Sequence, residues 1–141
     1  MPVAVKRVYE APAASDGVRI LVDRLWPRGL TKDAAAVKLW LRDLAPSTEL
    51  REWFHANPEA WRMFRRRYLK ELVSEEAGAA LDKLYAAATS AKKLTLVYAS
   101  RNEERNNATV LKELLEGGRK PPSSVGPAAA GRGRIRKAKK Q

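Results

Sequence analysis

The run LTLVYAS, Leu94 to Ser100, is apolar at almost every position. A strand that is apolar on both faces must be covered on both, which is the situation of a central strand in a parallel sheet. Parallel neighbours need crossover connections, and the rest of the chain supplies them. Val3, Val5 and Val8 lie in a β-compatible segment ending at Tyr9, and APAASDG is a turn-rich connector. A second strand is expected over Val18 to Leu25. A third, half-exposed strand is expected where Val37, Leu39 and Leu41 alternate with Lys38, Trp40 and Arg42.

Helix signals fill the intervals. Thr31 can cap a short turn through KDAAA, and Pro46-Ser47-Thr48 starts a helix to about Ala56. Asn57-Pro58 reads as an N-cap and first helical position, followed by a stripe of Trp61, Phe64, Tyr68 and Leu72. Ser74 can cap a helix whose Leu81, Leu84, Tyr85 and Ala88 face inward. Asn102 reads as the cap of the last helix, with Glu103 and Glu104 in its first turn, Leu111, Leu114 and Leu115 on its inner face and Gly117-Gly118 as its stop. The expectation is an α/β fold: one small domain over residues 1–118, with a mixed, mostly parallel sheet of about four strands flanked by helices.

The 141 residues are 45% hydrophobic, enough for one domain with its own core. Without cysteine there is no disulfide, thiolate nucleophile or thiolate metal site, and the single histidine excludes His-pair metal centres. No metal or cofactor is expected. No run of about 18 apolar residues occurs, and MPVAVKRVYE lacks the order of a secretion signal, so a cytoplasmic protein without a membrane partner is expected.

The formal charge of +12 is unevenly placed. Residues 119–141 contribute +8 of it, whereas residues 1–118 hold 20 bases against 16 acids. That tail is Pro, Gly, Ala, Ser and base, with too little apolar surface to order itself, and is expected to be disordered. Arg132, Arg134, Arg136, Lys137, Lys139 and Lys140 cluster within GRGRIRKAKK. Such a cluster attracts polyanions without reading sequence, so nonspecific nucleic-acid binding is one expectation, with Arg65 to Arg67 as a second phosphate-tracking face. A solubility extension and an ordinary solvated helix face are the bland alternatives.

KRVYE, DGVRILVDRLWPRGL, LWLRDLAPSTELREWF, FRRRYLKEL and LTLVYASRNEERNNATVL together resemble the YeaO-like family, domain of unknown function 488. The similarity covers roughly residues 5–116. It implies an α/β fold and no established activity.

One further constellation concerns function. Arg24, Trp26 and Arg28 follow the second strand, and Tyr98, Arg101, Glu104 and Asn106 follow or end the fourth. Ligands of open parallel sheets bind beyond the carboxyl ends of strands. Guanidinium groups grip phosphate or carboxylate, Trp26 offers a flat face and Asn106 a polar edge. The expectation is a small-molecule site, for a nucleotide-like or carboxylated metabolite, with these residues as one wall. Glu104 and His55 are the candidate bases if the site is catalytic. The structural alternative has Trp26 in the core and the arginines paired with Glu103 or Glu104.

Overall fold

A computed structural model of the protein describes residues 3–117. Four strands form one sheet: β1 (Val3–Arg7), β2 (Val18–Leu21), β3 (Leu39–Trp40) and β4 (Leu94–Tyr98), in the order β1-β4-β2-β3. Every pairing is parallel. The apolar run is therefore central, hydrogen-bonded on both sides and buried throughout. The sheet is wholly parallel rather than mixed, so all carboxyl ends share one edge.

Alternation divides the side chains between two faces. Ile20, Val22, Leu94, Leu96 and Tyr98 face a large core completed by α2 (Thr48–Ala56), α3 (Trp61–Glu71), α4 (Glu75–Ser90) and α5 (Asn107–Gly117). Leu21 and Val97 face a thinner layer of Val8, Ala35, Trp26, Leu30, Val37 and Trp40, carried mostly by the loop around the one-turn helix α1 (Lys32–Ala35). On the thick side Phe54 stacks on Phe64 with centroids 4.3 Å apart, and Phe64 leads on to Tyr68 at 5.8 Å. Such aromatic pairs add about 1 kcal/mol each beyond area burial.

Three of the expected caps hold: Thr31, Ser47 and Ser74 each accept the backbone N–H three residues on. Two do not. Asn57 ends α2, and α3 starts only at Trp61 after a turn over 57–60. Asn102 closes a local turn by accepting the N–H groups of Glu104 and Arg105, and α5 begins five residues later. Asn106 and Thr109 form its reciprocal cap: each side chain accepts the other's backbone N–H, at 3.1 and 3.2 Å. Strand β2 also stops at Leu21 rather than Leu25, and β3 shrinks to two residues at the sheet edge.

Gly17 is required where the chain enters β2. It sits at φ 65°, and a Cβ there would lie 2.3 Å from the Lys93 carbonyl oxygen.

The thin face contains an ion triad of the buried Asp16 and Arg19 with the half-buried Lys6. Arg19, 2% exposed, donates to Asp16 at 2.8 Å, to the Ala35 carbonyl at 2.9 Å and to the Val8 carbonyl at 3.4 Å. Asp16 also takes Lys6 and the Ala13 N–H, and its carbonyl accepts from Thr95. Burial alone would raise the Asp16 pKa, but these hydrogen bonds outweigh it and hold the carboxyl below its ordinary value.

Candidate functional site

Beyond Leu21 the chain crosses from one face of the sheet to the other within a few residues. Asp23 fixes the crossing point. Its carboxylate accepts the Ala99 N–H at 2.8 Å and the Asn107 amide at 3.1 Å, tying β2 to the end of β4 and the start of α5. Asn107 also donates to the Val22 carbonyl, and the Trp40 indole donates to the Asp23 carbonyl at 2.8 Å. Burial raises the Asp23 pKa, and the bonds from Ala99 and Asn107, with the nearby charge of Arg51, only partly offset it.

Arg24 turns toward the helical layer. Its Nη2 donates to the Ala45 carbonyl at 3.3 Å, while its Nε–H is buried and has no hydrogen-bond partner. The residue lines a cavity of about 380 Å³ together with Asp43, Ser47, Glu71, Ser74 and Glu76. Glu71, at the end of α3, accepts both the backbone N–H and the hydroxyl of Ser47, at 2.8 and 2.6 Å. The buried Tyr68 hydroxyl donates to the Leu44 carbonyl behind this site. Burial, and then the charges of Asp23 and Glu71, push the Tyr68 pKa well above its ordinary value, against a smaller opposing effect of Arg24. Tyr68 is therefore a neutral, fixed donor.

Trp26 and Arg28 leave on the other side. The Trp26 indole donates to the Leu30 carbonyl at 2.6 Å and its ring meets Trp40 edge-on, centroids 5.5 Å apart, within the thin layer. Arg28 is exposed, and its carbonyl accepts the Tyr9 hydroxyl at 3.1 Å. Tyr98 and Asn106 belong to the thick side. Tyr98 is buried, and its pKa is raised by burial and by Glu103, against a hydrogen bond from Asn106. Asn106 is spent on the α5 cap and on the Asn102 carbonyl. Trp26 and Arg28 are thus not brought into one wall with Tyr98 and Asn106. Arg101 and Glu104 lie exposed in the loop before α5, and the alternative pairing of Arg24 or Arg28 with Glu103 or Glu104 is not formed.

His55 is exposed in the last turn of α2. Arg65 pairs with Glu113 of α5, and Arg67 lies over the Trp53 ring at 4.5 Å, so these two arginines brace helices. Arg132, Arg134, Arg136, Lys137, Lys139 and Lys140 lie outside the described residues. Among the described residues there is no group of three or more His, Asp and Glu side chains able to hold a metal ion, and no helix is long and apolar enough to cross a membrane.

Sequence reasoning missed Asp23, Asn107, Ser47 and Glu71 as members of the site. An acid directly after an apolar strand was a usable signal for Asp23. Glu71 meets Ser47 across 24 positions, and no local pattern announces that contact.

Fold and site together define a small, wholly parallel α/β domain with a cavity lined by Arg24, Asp43, Glu71 and Glu76 beyond the carboxyl end of β2. The chain belongs to the DUF488 family: the model described as "Inactive DUF488-N3 subclade" matches residues 2–124. It is 47% identical over 115 residues to an uncharacterized protein of Mycobacterium tuberculosis, covering 82% of this chain and 94% of the relative. It is 43% identical over 115 residues to the uncharacterized protein YeaO of Escherichia coli, covering 82% and 97%. No solved structure matches the chain.

Proposed function

We propose that this domain binds a small carboxylated metabolite at the carboxyl end of β2, with Arg24 as the anion-gripping residue. The observation that carries this reading is the buried Arg24 Nε–H, which has no partner beside an open cavity. Leaving a buried donor unmade costs about 1–3 kcal/mol, and a small turn of the guanidinium toward an acceptor bound in the cavity would remove that cost.

Topology supports the same place. The connection leaving β2 packs on the thin face, whereas those leaving β3 and β4 pack on the helical face. The end of β2 is therefore where the winding reverses, the position at which open parallel sheets take their ligands. A carboxylate suits the cavity better than a nucleotide does, because the flat face of Trp26 is engaged on the other side of the sheet. The family description, "inactive", accords with binding without turnover.

The test is a thermal-shift screen of the full chain against carboxylates, nucleotides, sugar phosphates and duplex DNA. Carboxylates are expected to raise Tm, and Arg24→Gln to abolish the rise while the unliganded protein melts near its normal temperature. Stabilisation by nucleic acid alone, with none by carboxylates, would move the function to the basic segments instead.

A further inference from the structure

The charges around the Arg24 cavity restrict the ligand further than its anionic end. Arg24 shares the lining with Asp43, Glu71 and Glu76, yet it forms an ion pair with none of them. Glu71 is held in place by the backbone N–H and hydroxyl of Ser47. Asp43 and Glu76 are exposed and make no hydrogen bond or ion pair of their own. One cation and three anions thus face the same volume without neutralising one another. Asp43 and Glu76 are left to solvent, and no carboxylate of the lining lies within ion-pair distance of the guanidinium.

A simple anion would leave the carboxylates uncompensated, and a simple cation would leave Arg24 so. A chelated metal ion is not an answer either, since these carboxylates do not converge as a coordinating group. The charges themselves place the ends of the occupant. Ser47 and Ser74, the N-caps of α2 and α4, line the cavity with Glu71 bonded to Ser47 and Glu76 in the first turn of α4. Arg24, the one cation of the lining, marks the anionic end. The exposed Asp43 and Glu76 stand on the solvent side.

We infer that the cavity selects a zwitterion, an amino acid or related amino-carboxylate, with its carboxylate on Arg24 and its ammonium group at Asp43 and Glu76. This rests on the carboxylate-binding reading above and adds the second charge. About 380 Å³ lies at the small end of ligand pockets and suits a molecule of this size.

The experiment titrates the full chain by calorimetry with matched probe sets: amino acids, both α-amino and ω-amino, beside their des-amino carboxylates and decarboxylated amines. At least one amino-carboxylate is expected to bind about tenfold tighter than its des-amino partner, the size of one charge-assisted hydrogen bond. The amine alone should not bind. The double variant Asp43→Asn, Glu76→Gln, at two exposed positions without hydrogen bonds, should erase the tenfold preference while des-amino carboxylates bind at least as tightly as before. Equal binding of carboxylates with and without the ammonium group overturns the zwitterion and leaves the carboxylate reading standing. Absence of binding by every probe overturns both.

Discussion

Arg19 and Arg24 are five residues apart on one strand and its extension, and the sheet separates them into opposite circumstances. On the thin face, Arg19 is 2% exposed and donates to Asp16 and two carbonyls. On the helical face, Arg24 has one long bond to Ala45 and a buried Nε–H with nothing to receive it. A satisfied guanidinium is a fastener. An unsatisfied one beside a cavity is out of keeping with the rest of the fold, and it is this arginine that the proposed site uses.

The contrast breaks most readily by substitution. Arg19→Met strips a buried Asp16 of the nearer of its two charge partners and is expected to cost about 3 kcal/mol in urea denaturation. Arg24→Met removes an unpaired donor and is expected to change stability by less than about 1 kcal/mol. Equal losses would erase the distinction between the two arginines.

The two aspartates sharpen it through pH. Asp16 has a lowered folded-state pKa, so its unfolded form holds more protons: the stability it contributes is present above the ordinary value of 3.8 and is lost as pH falls through the folded value. Asp23 is raised, so its folded form holds more protons. Stability from Asp23 is present below 3.8 and is lost as pH rises through its folded pKa. Stability measured against pH should therefore lose a rising component in Asp16→Asn and a falling component in Asp23→Asn. Slopes altered in the same direction would contradict the assignment.

A smaller effect than that of Arg19→Met is expected from Thr95→Val, which takes the 2.7 Å bond from the Asp16 carbonyl while keeping shape. A loss of about 1 kcal/mol in chemical denaturation is expected, with ligand-induced shifts unchanged. Altered ligand binding would mean that the two faces communicate.

The local half of this organisation was legible in the residues. The apolar run of β4, the stripe of α3 and the serine caps of α2 and α4 each depend on neighbours a few positions away, and each is where the pattern put it. Asn102 misled because Asn closes a turn and caps a helix by the same side-chain acceptance. The second signal, Asn106 with Thr109, decides between them. The site was legible only as an edge and a set of residue types. Trp26 and Arg24 are two positions apart and would share a face if β2 continued, but the strand ends at Leu21 and parity is lost after it. The Ser47–Glu71 contact depends on how α2 and α3 pack, which no local spacing encodes.

The placement of β4 between β1 and β2 has a consequence during synthesis. The two earliest strands are not partners, and neither gains a full set of ladder bonds until residues 94–98 exist. A nascent chain carrying everything through α4 still lacks the piece that joins its halves, with the inner edges of both strands unpaired and adhesive. The sheet is closed by its last strand, as an arch is by its keystone. Folding of the whole is therefore gated by the final quarter of the described chain, and a truncation before Leu94 yields an aggregation-prone fragment rather than a smaller domain.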